Sequence, residues 1–212
     1  NGNIYNAQWI QNGSSCYLYF NGIDSQVNVP YSPTLTLYNQ TGQLTIALWF
    51  RLLGPTTYNN GQWQILANIL WNPQTATGLN LSTSPPIMYF GGIAGDPYSQ
   101  RPWLVNQSTW NTNWYFLVLT ATTSYEKLYL NGQLINQKYS SGILDLQQVQ
   151  QGFNIGNAAN NGCYFCFNGT IKDVMFYDTA LSSQQVYDLY EYCPVWAPDN
   201  PQAKGYTLLK QC

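Results

Sequence analysis

The sequence predicts an all-β fold, a two-sheet antiparallel β-sandwich with one short C-terminal helix. Short apolar or alternating runs bounded by Gly, Pro and Asn recur along the chain, which is typical of such sandwiches. The chain has 212 residues, 45% of them hydrophobic, and a formal net charge of −2, so it can bury one core and lacks the composition of a disordered protein. The predicted strands lie in the runs CYLYF, QVNV, LTIALWF, WQILANILW, PIMYFGG, WYFLVLTAT, KLYLNGQLINQ, FNIGN and GTIKDVMFYD.

Two local patterns predict particular elements. Asn131-Gly132 stands between two alternating runs, and an Asn-Gly pair there predicts a β-hairpin because its type I′ turn needs two residues with positive φ. Near the C-terminus, the run LSSQQVYDLY predicts a helix with Ser182 as its N-cap. The apolar side of this helix is formed by Val186, Leu189 and Tyr190.

We divide the chain into three parts. Residues 17–192 hold the predicted sandwich, residues 1–16 form an N-terminal extension, and residues 193–212 form a tail broken by Pro. The segments NGNIYNAQWI and YTLLK each have the pattern of a strand that can be donated to a neighbouring copy. No apolar run reaches the roughly 18 residues of a membrane span, and no charged-then-apolar leader opens the chain, so we expect a soluble protein. The chain begins at Asn1 and not at Met, which fits either a mature secreted form or a piece excised from a longer protein.

The charged residues of the chain limit the classes of partner that it can bind and indicate how its stability responds to pH. Only 8% of the residues are charged, against about 25% in average soluble proteins. The seven Lys and Arg residues are scattered, which argues against a nucleic-acid partner. With no His and nine carboxylates, few groups couple folding to pH, so we expect an acid-tolerant protein.

Sequons and cysteines together indicate an extracellular or cell-surface glycoprotein with disulfides. The five Asn-x-Ser/Thr sequons are at Asn12, Asn39, Asn80, Asn106 and Asn168. A four-thiolate zinc site would need a second Cys-x-x-Cys pair beside Cys163 and Cys166, and the sequence has none. Many disulfide pairings are open to five cysteines; our prediction joins Cys163 to Cys166 and Cys16 to Cys193, and leaves Cys212 for another partner.

The order of the motifs resembles one known superfamily. An opening Phe-Asn-Gly-x-Asp, a Tyr-x-Asn-Gly hairpin and a closing Gly-x-Ile-x-Asp-Val-x-x-Tyr followed by Ala-Leu-Ser occur in this order between residues 17 and 190. The arrangement is similar to the laminin G-like jelly-roll domains of the concanavalin A-like lectin/glucanase superfamily. The resemblance implies that the first long strand lies beside the GTIKDVMFYD strand. It also implies a carbohydrate-binding module, an adhesion domain, a passenger module of a larger enzyme or, in a minority, a glycoside hydrolase.

The resemblance implies calcium in some members, near the loop after the first strand and at the far end of the sandwich. This chain has Asn21 where Asp is common, and Ser25 where a second acidic residue often follows Asp24. Calcium prefers several carboxylate or carbonyl ligands, so these differences weaken the expectation. The candidate ligands are Asp24 and Asp173, and the alternative is that Asp24 stabilises a turn through its own backbone.

Catalysis is not expected of this chain. A glycosidase needs two positioned carboxyl groups, and the Glu-x-Asp-x-Glu run that glucanases of this fold carry is absent. The two glutamates, Glu126 and Glu191, are interpreted as solvated surface residues. Because the chain has no His, Ser-His-Asp and Cys-His arrangements are excluded as well.

Aromatic residues are the remaining candidates for recognition. Trp49, Trp63 and Trp114 lie within strand runs, and we expect them in the core. A second group lies near Pro, Gly and Asn breaks, where loops on a rigid sandwich commonly bind ligands. These candidate glycan-binding residues are Trp71, Tyr98, Arg101, Trp103 and Trp110. The alternative is that their rings pack under long loops or against a neighbouring subunit.

Two functions from different classes follow. The first is lectin-like glycan recognition in adhesion, which rests on the resemblance and on the aromatic residues. The second is a structural subunit of a surface assembly, such as a filament, envelope or virion coat, in which copies of the chain are joined by strand donation and disulfides. Its support is the low-charge, aromatic surface and the unpaired fifth cysteine.

Overall fold

The protein is a sandwich of two antiparallel sheets with a helix on one outer face. The structure, a computed structural model, describes residues 2–13, 15–33, 41–54, 63–68, 78–83, 86–91, 105–106, 111–139, 152–157, 165–192 and 205–207. The helix is α1 (Ser183–Tyr192). The strands are β1 (Asn3–Tyr5), β2 (Gln8–Asn12), β3 (Ser15–Asn21), β4 (Gln26–Val29), β5 (Gln43–Leu52), β6 (Trp63–Asn68), β7 (Gly78–Thr83), β8 (Pro86–Gly91), β9 (Val105–Asn106), β10 (Tyr115–Thr122), β11 (Tyr125–Leu130), β12 (Gln133–Tyr139), β13 (Phe153–Ile155), β14 (Asn168–Tyr177) and β15 (Gly205–Thr207).

The strand order confirms the predicted sandwich. Among the described residues, the first sheet has the order β1-β4-β13-β6-β7-β8-β9. The second sheet has the order β12-β11-β10-β5-β14-β3-β2, and β15 pairs with β14. The strands β3 and β14 are antiparallel neighbours, as the resemblance implied. No helix in the described part of the chain is long and apolar enough to cross a membrane.

The predicted hairpin joins β11 to β12. Asn131 and Gly132 have φ values of 50° and 77°, and the residues on either side of them, Leu130 and Gln133, pair across the turn. The Asn131 side chain adds a further contact, because its Oδ1 accepts a hydrogen bond from the backbone N–H of Phe116 at 2.9 Å. The turn is therefore tied to β10 as well as to its own strands.

The core lies between the two sheets and follows from side-chain alternation. In β3, Leu18 and Phe20 are buried and face the first sheet, whereas Tyr17 and Tyr19 point to the outer face. Full burial of a Leu or Phe side chain contributes about 1.5–3 kcal/mol, so each buried side chain of this layer stabilises the fold. The largest fully buried residues on the inner faces include Phe20, Phe50, Phe153, Phe167 and Phe176.

Helix α1 covers part of the outer face of the second sheet. Ser182 caps it as predicted: the Ser182 Oγ accepts the Gln185 N–H at 3.3 Å, and the Gln185 Oε1 accepts the Ser182 N–H at 2.9 Å. The apolar side of the helix packs on a second apolar cluster that is separate from the main core. That cluster contains Ala47, Phe116, Val118, Tyr129, Met175, Tyr177, Leu181 and Val186, with Trp49, Leu189 and Tyr190 at its margin.

Within the described part of the chain, the N-terminal segment forms one edge strand of each sheet. Strand β1 pairs with β4 in the first sheet, and β2 pairs with β3 in the second. Between them, Asn6 adopts a positive φ of 52°, which lets the chain cross from one sheet to the other. The two strands within residues 3–12 thus pair with strands of their own chain. Strand β15 likewise pairs with β14 of the same chain. Their donation to a neighbouring copy stays a prediction.

Two glycines with positive φ provide a test of the packing. A Cβ on Gly156 (φ 78°) would lie 2.3 Å from the ring of Phe20, whereas a Cβ on Gly13 (φ 63°) would meet nothing within 4 Å. We expect Gly13→Ala to cost about 1 kcal/mol of backbone strain. Gly156→Ala should cost a further 1–3 kcal/mol, roughly, from overpacking. Urea unfolding of both variants measures the difference, and equal costs would contradict the packing of Gly156 on Phe20.

Candidate functional site

A cluster of rings and cations lies on the part of the outer face that α1 leaves uncovered. We call it the cation–aromatic patch. Its members come from β3, β5, β14 and the residue preceding β10, and each of them is partly exposed. They are Tyr17, Trp49, Arg51, Trp114 and Lys172.

Strand register brings these residues together. Trp49 in β5 is opposite Lys172 in β14, and Arg51 is opposite Thr170. Tyr115 pairs with Phe50 in antiparallel strands. Trp114, the residue before Tyr115, therefore lies beside Arg51, the residue after Phe50. Since all of these positions have the same alternation phase, their side chains share the outer face.

The rings and cations form one continuous set of contacts. The Arg51 guanidinium carbon lies 5.6 Å from the centre of the Tyr17 ring and 5.3 Å from that of Trp114. The Lys172 ammonium lies 5.5 Å from the Trp49 ring and 5.1 Å from the Trp114 ring. Tyr17 and Trp114 meet edge to face at 5.6 Å, so they span the two strands between them. Each cation–π contact contributes about 0.5–2 kcal/mol, depending on how far it is removed from water.

Unsatisfied polar atoms concentrate on and beside this patch. Among the described residues, four buried polar atoms without a hydrogen-bond partner lie here: Trp49 Nε1, Arg51 Nε, Thr170 Oγ1 and Asp173 Oδ2. No carboxylate in the described part of the chain pairs with Arg51. A buried donor without an acceptor typically costs about 1–3 kcal/mol. Two of these atoms, Trp49 Nε1 and Arg51 Nε, are donors, so the fold bears the cost of unsatisfied donors at this patch.

Asp173 borders the patch in a β-bulge. The register of β14 with β5 shifts between Lys172 and Met175, and Asp173 adopts a positive φ of 51° there. Its carboxylate lies 4.0 Å from the Lys172 ammonium, an ion pair without a hydrogen bond. Burial raises the pKa of the Asp173 carboxyl above its usual value, and the neighbouring Lys172 charge lowers it by less.

The expected core position of two tryptophans is corrected by the structure. Trp114 is partly exposed and contacts Arg51 and Lys172, and Trp49 lies at the margin of the helix-covered cluster, stacked on Tyr190 at 5.7 Å. Alternation within LTIALWFRL contains the signal that was missed, because Trp49 and Arg51 share one face and Leu48 and Phe50 share the other. The side chain of Trp63 lies outside the described part of the chain, as do the candidate glycan-binding residues Trp71, Tyr98, Arg101, Trp103 and Trp110.

Comparison with known families decides the relationship. A laminin G family model, described as the concanavalin A-like lectin/glucanases superfamily, matches residues 20–187. The chain belongs to this superfamily. Among curated proteins, none matches the chain in sequence. Because the superfamily contains both enzymes and non-catalytic binding domains, membership establishes the fold and leaves the activity to the site.

Solved structures of this superfamily fold resemble the chain at low sequence identity. Domain 4 of AbnA, an extracellular arabinanase from Geobacillus stearothermophilus in complex with arabinotriose, has a TM-score of 0.63 and 16% identity over 88% of this chain and 82% of that one. Trypanosoma rangeli sialidase has a TM-score of 0.62 and 15% identity over 89% and 28%. The binding domain of botulinum neurotoxin serotype D/C has a TM-score of 0.62 and 15% identity, and the match covers 90% of this chain and 47% of that one. The chain thus spans less than half of the last two proteins.

In the loop where some superfamily members bind calcium, this chain has a network of side-chain hydrogen bonds. The Asn21 Oδ1 accepts the backbone N–H groups of Ile23, Asp24 and Ser25 at 2.9, 3.1 and 3.2 Å. The Asn21 Nδ2 donates to Asp24 Oδ1 at 2.7 Å, and the Asn6 Nδ2 donates to Asp24 Oδ2 at 2.9 Å. Both carboxylate oxygens of Asp24 are therefore already occupied by amide donors.

These residues do not fit a calcium site. Asn21 presents an N–H donor to Asp24, and a donor cannot coordinate a cation. The loop holding Asp24 lies where Asn21 pairs with Asn168, and Asp173 is five residues further along β14, roughly 16 Å away at about 3.3 Å per residue. The two candidate ligands cannot share one ion. Among the described residues, no three His, Cys, Asp or Glu side chains converge on a point.

The glutamates occupy different environments from those expected. Glu191 is exposed on α1, as the sequence indicated. Glu126 is only 3% exposed, so its interpretation as a solvated residue was wrong. Glu126 is in β11 and pairs with Ala121 of β10. Like Ala121, it is on the inner face of the sheet, at the end of the main core.

Cys16 and Cys166 are each disulfide-bonded. Cys16 lies near the start of β3, and Cys166 lies beyond the other end of this strand, with its Sγ 3.3 Å from the Ile23 carbonyl oxygen. The length of β3 separates them, so they are not bonded to each other. The other cysteines, Cys163, Cys193 and Cys212, lie outside the described residues, and the pairing stays a prediction.

Two sequons have described side chains. Asn12 is exposed at the end of β2. Asn168 is partly buried at the start of β14, and its Cβ lies 2.7 Å from the position that a Cβ on Gly22 would take. Occupancy stays a prediction, and exposure favours Asn12 over Asn168. The side chains of Asn39, Asn80 and Asn106 lie outside the described part.

Asp173 makes the stability of the fold depend on pH. A carboxyl whose folded-state pKa is raised contributes stability below its unfolded-state pKa, and this contribution is lost as pH rises through the folded value. We expect Asp173→Asn to raise Tm at pH 7 by more than at pH 3. At pH 7 the variant removes a buried charge, whereas at pH 3 the Asp173 carboxyl is largely protonated in both the folded and the unfolded chain. Asn also suits the positive φ, and that gain is common to both pH values. Thermal melts at the two pH values measure the difference, and an equal gain would contradict the buried carboxylate.

Proposed function

We propose that this chain is a non-catalytic carbohydrate-recognition module of an extracellular protein, and that the cation–aromatic patch is its binding surface. The observation that carries the proposal is the patch itself. Three rings and two cations are gathered on the part of the outer face that α1 does not cover, around polar atoms for which the described residues provide no hydrogen-bond partner. Side chains that serve only stability would satisfy one another, as those of the Asn21 loop do.

The chemistry of the patch suits a sugar. A pyranose or furanose ring presents an apolar C–H face bordered by hydroxyl groups, and aromatic rings pack on the apolar face. The Arg51 guanidinium and the Lys172 ammonium supply donors for the oxygen atoms at the border. A strand-borne patch is also rigid, which lowers the entropic cost of binding.

The similarity to sugar-associated domains supports this proposal. Domain 4 of AbnA was solved with arabinotriose, and it shares the fold over most of both chains. At 16% identity this likeness concerns the fold alone. It makes carbohydrate binding a role that the architecture can accommodate, and the patch supplies the residues.

The environments of Glu126, Glu191 and Asp24 favour binding over hydrolysis. Glu126 is buried at the end of the core, and Glu191 is exposed on α1, so the two are not gathered at one site. Asp24 is held by two Asn side chains. A glycosidase needs an acid and a second carboxylate about 5–10 Å apart. The chain also has no His that could take a proton.

An extracellular location fits the cysteines and the sequons. Cys16 and Cys166 are disulfide-bonded, and such bonds persist in oxidising compartments. Five sequons provide acceptor sites for N-linked glycans. Together they support a secreted or surface protein that meets its ligand outside the cell.

Removal of one ring tests the binding surface. We expect Trp114→Ala to weaken binding of the best ligand on a glycan array about tenfold, since central aromatic residues dominate such interfaces. Trp9→Ala is the matched control, because Trp9 is 43% exposed on β2 and lies outside the patch. Thermal melts of both variants verify folding. Absence of any bound glycan, or equal weakening by the two changes, would reject the proposal.

Self-association is the second candidate function, and the N-terminal edge favours it. Among the described strands, β1 and β2 are the outermost of their sheets, and they contain no Lys or Pro that would block pairing with another chain. Large apolar side chains are exposed at the same corner of the sandwich. These are Ile4, Tyr5, Trp9 and Ile23. An edge of this kind can accept a strand from a neighbouring copy.

Light scattering after size exclusion tests self-association. We expect the unaltered chain to form a species larger than a monomer and the double variant Ile4→Ser, Trp9→Ser to be monomeric, because it removes exposed apolar surface from both edges. Tyr139→Ser is the control, since Tyr139 is 79% exposed on β12, at the opposite edge of the second sheet. A monomeric unaltered protein would eliminate this function.

A further inference from the structure

We propose that the cation–aromatic patch selects an acidic sugar, one bearing a carboxylate or sulfate group, over its neutral counterpart. This inference rests on the proposed function and names the class of ligand. It is carried by the position and the unused donors of two side chains, Arg51 and Lys172.

The charge at the patch is locally positive and lacks full compensation. The whole chain has seven Lys and Arg residues, and two of them contact the same Trp114 ring. Like charges brought onto one ring repel each other, and that repulsion falls when an anion lies between them. Within the described residues, the carboxylate paired with either cation is that of Asp173, at 4.0 Å from Lys172.

Arg51 is held ready for an anionic acceptor. Its guanidinium lies against the Tyr17 and Trp114 rings, and within the described part of the chain no group accepts a hydrogen bond from it. A planar guanidinium binds carboxylate or sulfate oxygens through two parallel N–H bonds, and such charge-assisted bonds are about twice as strong as neutral ones. Because the rings already fix the side chain, little further order is lost on binding.

Lys172 has unused donors as well. At 4.0 Å its ammonium attracts Asp173 without a hydrogen bond, and none of the described residues donates a hydrogen bond to the Asp173 Oδ2. The Lys172 side chain remains 20% exposed. An anionic oxygen placed near Trp114 is thus within reach of both cations, whereas a sugar hydroxyl there gains only neutral-acceptor bonds.

The decisive experiment compares sugars that differ only in charge. Isothermal titration of the full chain uses hexagalacturonate and its fully methyl-esterified form as the carboxylate pair. The sulfate pair consists of sulfated dextran oligosaccharides and unsulfated dextran oligosaccharides of the same length. We expect at least tenfold tighter binding of an acidic member than of its neutral match. The pair that shows the difference identifies carboxylate or sulfate as the recognised group. Raising NaCl from 50 to 300 mM should weaken the acidic ligand severalfold and leave the neutral one nearly unchanged.

Matched variants locate the selectivity. Arg51→Met and Lys172→Met each remove a cation and keep much of the side-chain volume, and we expect each to reduce the acidic-to-neutral ratio at least fivefold. Lys127→Met is the control, because Lys127 also lies over a ring, that of Tyr125 at 4.7 Å, on β11 away from the patch. If Arg51→Met fails to melt cooperatively, Lys172→Met decides alone.

The outcomes separate this inference from the proposed function. Binding of neutral and acidic sugars with equal affinity, lost in Trp114→Ala, would overturn the acidic preference and leave the carbohydrate-binding role standing. Binding of neither pair, together with an empty glycan array, would overturn both. Equal loss of selectivity in Lys127→Met would show a general charge effect and would also overturn the assignment to the patch.

Discussion

Side-chain alternation along β3, β14, β5 and the start of β10 is the constraint on which the rest of the structure depends. In β5, Leu48 and Phe50 face the first sheet, and the intervening Trp49 and Arg51 must therefore face outward. A slip of one residue would exchange the two sets and expose the core. The burial of apolar side chains on one face thus positions the cation–aromatic patch on the other, and any movement of the patch away from its register would expose core residues to water.

The outer face is divided by α1, and its composition follows that division. Beneath the helix the outward residues Ala47, Val118 and Met175 are apolar, because they are covered. Where the helix does not cover the sheet, the outward-facing residues include the cations Arg51 and Lys172. Trp49 lies at the boundary, stacked on Tyr190 of the helix on one side and contacted by Lys172 on the other. The helix therefore limits the patch and also braces one of its three rings.

Local signals predicted the strands, the Asn131-Gly132 turn and the Ser182-capped helix, because each depends on residues close in sequence. The patch escaped prediction for a physical reason. Arg51, Trp114 and Lys172 meet only because β5 lies between β10 and β14, and this order is set by long-range pairing. Tryptophan within an apolar run was assigned to the core on composition, when its alternation phase indicated the surface. The calcium hypothesis followed the resemblance, whereas the amide groups of Asn6 and Asn21 bind the Asp24 carboxylate directly.

The bulge in β14 keeps the residues of the patch in register, and this arrangement has an energetic cost. One extra residue, Asp173, is inserted while Lys172 stays opposite Trp49 and Met175 stays opposite Ala47. The bulge thus keeps the helix-covered and uncovered parts of the outer face in register, at the cost of a strained φ and a partly buried carboxylate. The Asn21 network satisfies its polar groups, whereas Arg51, Thr170 and Asp173 each have a buried polar atom for which the described residues provide no partner. Folds retain such locally unfavourable groups where binding compensates for them, which is why the patch, and not the better-satisfied Asp24 loop, is the recognition surface we assign.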